Sequence, residues 1–99
     1  MKLSKYLVMW EVDKSRLPVD PKERVTGFHT LVNLVKKDIE DGVIKDWGVF
    51  VGEHNGFALF EGNEVEVGIR IEKYVPFVIF KTYPVASIDQ IDEVHKAYL

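Results

Sequence analysis

The chain contains no cysteine. That excludes a disulfide framework, a thiolate nucleophile and a cysteine metal site, and it makes a cytoplasmic protein the expectation. Histidine is sparse: His29, His54 and His95 lie far apart with no HxxxH or HExxH spacing, so no metal centre is expected. Long apolar runs are missing too. The longest uncharged stretches, such as YVPFVIF, fall far short of the roughly 20 residues a membrane-spanning helix needs, so no membrane span is expected. Basic residues form no cluster, and the net charge is -3. Nucleic acid and anionic membranes both select a concentrated basic surface, so neither is an expected partner. EGNEVEVG lacks the spacing of a phosphate loop, and no cofactor is implied.

What the chain does have is apolar material for one core. Its 99 residues, 46% hydrophobic and 29% charged, suit a single domain over residues 1–99 and argue against disorder. The initial MKLSKYLVMWEVD has the early lysines of a signal peptide. Glu11 and Asp13 follow closely, however, and no small-residue cleavage site appears, so a strand is expected there.

KYLVMWEV, residues 5–12, is rich in strand formers and apolar at nearly every position, as in a strand buried on both faces. DKSRLPVDPKE breaks the pattern. Asp20 is a good N-cap, Pro21 suits the first helical position, and Glu23 stands where a capping-box acid reaches back. From there Val25, Phe28, Val32, Val35 and Ile39 recur at steps of three and four, with Leu31 and Leu34 widening the stripe. Gly42 supplies the stop, so the spacing predicts a helix over about 21–41. PFVIFKTYPV, residues 76–85, reads as another strand buried on both faces. In SIDQIDEVHKAYL, Ser87 and Gln90 make a capping box, while Ile88, Ile91, Val94 or His95, and Tyr98 form an apolar stripe; a short amphipathic helix is expected.

Two segments carry more of the functional reading. KDWGVFVGEH and GFALFEG are expected to form a hairpin with a type I′ turn at Asn55-Gly56, because both central residues of that turn need positive φ. In the resulting register His54 pairs with Phe57, Gly52 with Leu59 and Phe50 with Glu61, while Glu53 pairs with Ala58 and Val51 with Phe60. His54 then shares a face with Gly48, Phe50, Gly52, Phe57, Leu59 and Glu61. In NEVEVGIRIEKY, strict alternation of Val65, Val67, Ile69 and Ile71 favours a strand, whereas Asn63 as N-cap with Glu66 three residues on favours a helix. The helix is preferred because it completes a familiar order.

That order is α+β and ferredoxin-like, βαββαβ: a four-stranded antiparallel sheet with two helices on one face, plus the short C-terminal helix. The strands are apolar on both faces, and the helices cover only one. A second copy is the economical cover for the other, so a homodimer through the open sheet face is expected.

KYLVMWEV, WGVFVGEHNGFALFEG and FVIFKTYPV resemble, in element order and hairpin texture, the dimeric α+β-barrel group. The layout is similar to that of muconolactone isomerase-like proteins and of small uncharacterised domains. The resemblance implies two facing sheets, and a ligand either in the cleft between a sheet and its helices or in the barrel interior. It also supports a helix at 63–73. The function expected on this basis is binding of a small, largely apolar molecule, with isomerase- or monooxygenase-like chemistry; a non-catalytic binding or oligomerisation module is the alternative. Acylphosphatases share the element order, but their Gly-rich first loop with its phosphate-binding arginine has no counterpart in DKSRLPVDPKE.

On the hairpin face Gly48 and Gly52 leave room beside Phe50. If Leu7, Met9, Glu11, Ile79, Lys81 and Tyr83 share that face, a small apolar pocket with a few polar groups results. His54 is then a candidate general acid or base, with Glu11, Glu61 or Tyr83 orienting it or a substrate, so His54, Glu61 and Tyr83 are the catalytic candidates. The plainer reading, which asks less, makes His54 a solvated turn shoulder and Glu11, Glu61 and Lys81 interface ion pairs. His29 flanks the helical stripe and is a candidate contact at a sheet–helix cleft. The asparagine, tryptophan and histidine set of haem-degrading and monooxygenase relatives has no match here. Trp10 and Trp47 either stack on a flat ligand or fill the core. An RNA-recognition surface is opposed by Glu11 and Glu61.

Overall fold

The computed structural model describes residues 4–99. Along them run β1 (Ser4–Val12), a 3-10 turn (Lys14–Arg16), α1 (Pro21–Glu40), β2 (Ile44–Val49), β3 (Asn55–Gly62), α2 (Glu64–Glu72), β4 (Val78–Val85) and α3 (Ile88–Lys96). The strands form one four-stranded sheet in the order β2-β3-β1-β4, antiparallel at each pairing. This is an α+β layout compatible with a ferredoxin-like fold.

Each helix starts at a side-chain cap. The Asp20 carboxylate accepts the Glu23 N–H at 3.0 Å with Pro21 behind it, and Asn63 accepts the Glu66 N–H at 2.9 Å. Ser87 and Gln90 bond reciprocally at 3.2 and 2.8 Å. The Asn63 cap gives α2 its start despite the alternating sequence of the segment. Val67 is buried and Ile71 half-buried against the sheet, while Val65 and Ile69 are left exposed. The core joins Val8, Ile44, Ala58, Phe60 and Val78 of the sheet to Val35 of α1 and Val67 of α2.

Cross-strand partners share a face, so the register defines two surfaces. Toward the helices point Tyr6, Val8, Trp10 and Val12 of β1, with Gly56, Ala58 and Phe60 of β3 and Val78 and Phe80 of β4. Away from them point Leu7, Met9 and Glu11, beside Phe57, Leu59 and Glu61 and beside Ile79, Lys81 and Tyr83.

The hairpin departs from expectation. Neither Asn55 nor Gly56 has positive φ; that conformation belongs to Gly52, at φ 81°. The connection over residues 50–54 is closed by the Phe50 N–H to the Asn55 carbonyl (3.0 Å) and by the Glu53 N–H to the Phe50 carbonyl (2.9 Å). Trp47 therefore pairs with Ala58, Gly48 with Phe57 and Val49 with Gly56. Gly56 answers a packing demand instead of a turn: a Cβ there would collide with the Gly48 carbonyl oxygen and stand 2.7 Å from Trp10 Cζ2. Phe50, Gly52 and His54 are loop residues as a result, outside the ladder in which they were expected to pair.

The inward stripe of α1 also differs by a step. Phe28, Leu31 and Val35 turn in as expected, but Val25 and Ile39 are exposed, and the buried position after Val35 is Asp38, at 0% exposure. No residue of α3 is buried. Its Ile88, Ile91, Val94 and Tyr98 stripe lies open, and the chain extends over 60 Å. Its radius of gyration is 16.1 Å, against about 13 Å for a compact domain of 100 residues.

Candidate functional site: a sheet–helix cleft

A cavity of about 170 Å³ lies between the sheet and α1. Its construction follows from side-chain sizes on three adjacent strands. The middle strand, β3, contributes Gly56 and Ala58, the smallest residues available; on either side stand Trp10 of β1 and Trp47 of β2. With nothing bulky between them the two indoles meet over β3, ring centroids 5.5 Å apart and planes within 7°, inside the favourable range for offset stacking. The Trp10 Nε1–H donates to the Phe57 carbonyl at 3.1 Å, which fixes the ring. Phe28, Leu31, Val32 and Val35 of α1 form the opposite wall, and Phe60, Phe80 and Tyr74 close the inner end.

His54 borders this cleft with Glu53. Its backbone is tied down, since its carbonyl accepts the Val12 N–H at 2.9 Å. Its imidazole lies against Phe28, centroids 5.4 Å apart and tilted by 38°. His54 is thus on the helix side of the sheet. Glu61 and Tyr83 are on the other side, where Glu61 is paired with Lys5 and Tyr83 with Leu7. The structure therefore does not bring His54, Glu61 and Tyr83 together, because the hairpin turns at Gly52 and not at Gly56.

The other candidates divide in the same way. Trp10 and Trp47 belong to the cleft. Gly48, Glu11 and Lys81 belong to the open sheet face. The volume missing at Gly48 is already taken, because a Cβ there would stand 2.6 Å from Phe57 Cε1; the ring covers the glycine and leaves no pocket. Phe50 and Gly52 are exposed in the loop, and His29 is exposed on α1, one residue round the helix from Phe28 and outside the cleft lining. Among the described residues no group of three or more His, Asp or Glu is arranged to hold a metal ion, and no helix is long and apolar enough to cross a membrane.

Behind the inner end lies a polar cluster that the sequence reading missed. Asp38 Oδ2 accepts the Tyr74 hydroxyl at 2.7 Å, and Oδ1 accepts Lys73 Nζ at 2.6 Å and Arg70 Nη1 at 2.9 Å. Arg70 also donates to Asp41 at 2.7 Å, and Asp41 receives Lys37 at 3.0 Å. Burial, and then the hydrogen bond to Asp38, push the Tyr74 phenol well above its ordinary value. The Arg70 and then the Lys37 hydrogen bonds hold the Asp41 carboxyl below its own. The cluster joins α1 to α2 and to the segment after it, and Tyr74 presents its ring to the cleft while its hydroxyl is held behind. The signal available in the sequence was helical phase: 28, 31, 35 and 38 form as good a stripe as 28, 32, 35 and 39.

No protein-family model matches the chain, and no curated protein matches it in sequence.

Proposed function

We propose that the protein binds a small, flat, largely apolar molecule in the cleft between the sheet and α1. One observation carries this reading: a cavity of about 170 Å³, walled by stacked Trp10 and Trp47 and by Phe28, with His54 at its border. The volume is close to the roughly 150 Å³ of an engineered apolar cavity that stays dry and takes up benzene, so the ligand is sized as one or two rings. Aromatic walls give such a ring stacking partners beyond its area burial. Of the two chemistries that accompany the α+β-barrel resemblance, isomerase-like proton transfer asks less of this cleft than a monooxygenase-like reaction. It needs one acid–base group beside the bound ring, which is the role of His54.

The test is a thermal-shift screen of one- and two-ring compounds against the wild-type chain and Val32→Trp, which fills the cleft from the helix side. Stabilisation by members of the screen is expected in the wild type and its loss in Val32→Trp. Equal stabilisation of both proteins would reject the cleft as the site.

A second part of the reading concerns assembly. We infer a cytoplasmic homodimer of ferredoxin-like subunits, a dimeric α+β barrel, formed through the open sheet face. The supporting observation is that this face presents Leu7, Met9, Phe57, Leu59, Ile79 and Tyr83 with no helix over them, and that Ile79 and Tyr83 are 56% and 48% exposed. The unpaired stripe of α3 adds apolar surface of the same kind, and a nine-residue helix is too short to be stable in water without a surface to pack on. A non-catalytic oligomerisation module, the alternative to the cleft reading, rests on this face alone.

A further inference from the structure

The cavity does not stand alone. A second concavity of about 300 Å³ lies directly beside it along the first half of α1, and Val12, Phe28 and Leu31 border both. The first is lined almost wholly by apolar and aromatic side chains; the second carries Asp13, Arg16 and Arg24.

These three are not equivalent. Asp13 is satisfied locally: it accepts the Ser15 N–H at 3.1 Å and hydroxyl at 2.7 Å, and it stands 3.3 Å from Arg16 Nε. Arg24 is half-buried, and its Nη1 donates to the Pro18 and Val19 carbonyls at 3.2 and 3.1 Å. Those carbonyls fix the guanidinium without supplying a counter-charge, and no acidic side chain pairs with it among the described residues. The nearby Asp20 uses its carboxylate to cap α1. A guanidinium offers five N–H donors in a planar fork, so a rigidly held, uncompensated Arg24 keeps donors for an anion. Gly27 also borders this groove, and a Cβ there would meet nothing within 4 Å. The groove is therefore open beside the arginine.

We propose that the ligand of the cleft is an acid: a small arylalkyl carboxylate whose ring lies between Trp10, Trp47 and Phe28 and whose carboxylate is held by Arg24. The assignment rests on the cleft reading above. Arg24 and Phe28 are four residues apart on one face of α1, and Phe28 borders both concavities while Arg24 lines the second, so an acid side arm on a ring bound in the cleft extends into the groove that holds the arginine. Arg16, across the groove and half-neutralised by Asp13, contributes field more than a bond.

The experiment compares 2-naphthylacetate with its neutral isostere 2-naphthylacetamide, titrated calorimetrically into the wild type, Arg24→Gln and Gly27→Leu. Wild type should bind the acid roughly tenfold or more tightly than the amide, as a charge-assisted hydrogen-bonded pair allows. Arg24→Gln should abolish that preference while leaving the amide affinity unchanged. Gly27→Leu, which fills the open space of the groove without a clash, should weaken the acid and its isostere alike, since both arms lie there. If the amide binds as tightly as the acid, or if Arg24→Gln keeps the preference, the acid assignment is overturned and the cleft reading stands. If neither compound binds the wild type, both fall.

Discussion

Replacing Asp38 tests whether one buried carboxylate is the joint between α1 and α2. It is 0% exposed and receives three hydrogen bonds, from Tyr74 at 2.7 Å, Lys73 at 2.6 Å and Arg70 at 2.9 Å. In Asp38→Ala the Tyr74 hydroxyl stays buried with no acceptor, and two cations lose the charge that neutralises them. Removing one partner of a buried pair costs about 3–5 kcal/mol. Two features put this case at the lower end. Arg70 keeps Asp41 at 2.7 Å, and the Lys73 side chain is 32% exposed and can turn to water. The expected loss is therefore about 3 kcal/mol, which at 4–8 °C per kcal/mol lowers Tm by about 12–24 °C in a domain of this size. Asp38→Asn leaves one acceptor oxygen, enough for Tyr74, but turns an amide NH2, itself a donor, toward Lys73 and Arg70. It loses those two hydrogen bonds together with the charge, so its cost should approach that of the alanine, about 2–3 kcal/mol. Urea unfolding should show both losses as lowered midpoints at unchanged m. A loss below about 1 kcal/mol in Asp38→Ala, the range of exposed ion pairs, would refute the joint.

Four further outcomes are expected. Gly56→Ala should destabilise far more than Gly52→Ala and should alter the tryptophan fluorescence. Its Cβ meets Trp10 and the β2 backbone, whereas the cost at Gly52 is only the roughly 1–2 kcal/mol of a left-handed alanine; equal losses would return the turn to Asn55-Gly56. Because the folded chain holds the Tyr74 proton that the unfolded chain releases above about pH 10, that stabilisation is complete below pH 10 and declines as the pH rises past it. Tyrosinate absorbance should accordingly take a further step at alkaline unfolding, and a step that survives Tyr74→Phe would contradict the assignment. Asp41 works in the opposite sense, its contribution being present above about pH 4 and lost as the pH falls below it. Light scattering at micromolar concentration should give twice the chain mass of 11.4 kDa, and Leu59→Lys should halve it without unfolding the subunit; a folded wild-type monomer would sink the dimer.

The parts of the fold that rest on local chemistry were legible in the sequence. Caps at Asp20, Asn63 and Ser87 and apolar runs at residues 5–12 and 76–85 are short-range signals, and the elements they mark are present. The site was legible only in part, because its key decision was nonlocal. Asn55-Gly56 has the composition of a tight turn, but the glycine is required by the β2 backbone at Gly48 and by an indole forty-six positions earlier, Trp10. Placing the turn there moved His54 onto the wrong face and joined it to Glu61 and Tyr83, which lie across the sheet from it. Trp10 and Trp47 were legible as residues that either stack on a flat ligand or fill the core, but their stacking on each other depends on strand order, which puts small β3 side chains between them. Asp38 was hidden by a one-residue ambiguity in helical phase that only its partners on α2 and beyond resolve.

The central claim is that the cleft between the sheet and α1, and not the open sheet face, receives the ligand. Intermolecular NOEs from a saturating two-ring probe such as 2-naphthol test it most directly. Contacts to Trp10, Phe28, Val32 and Val35 are the expected result. Contacts to Leu7, Met9 and Leu59, or none at saturation, would contradict it.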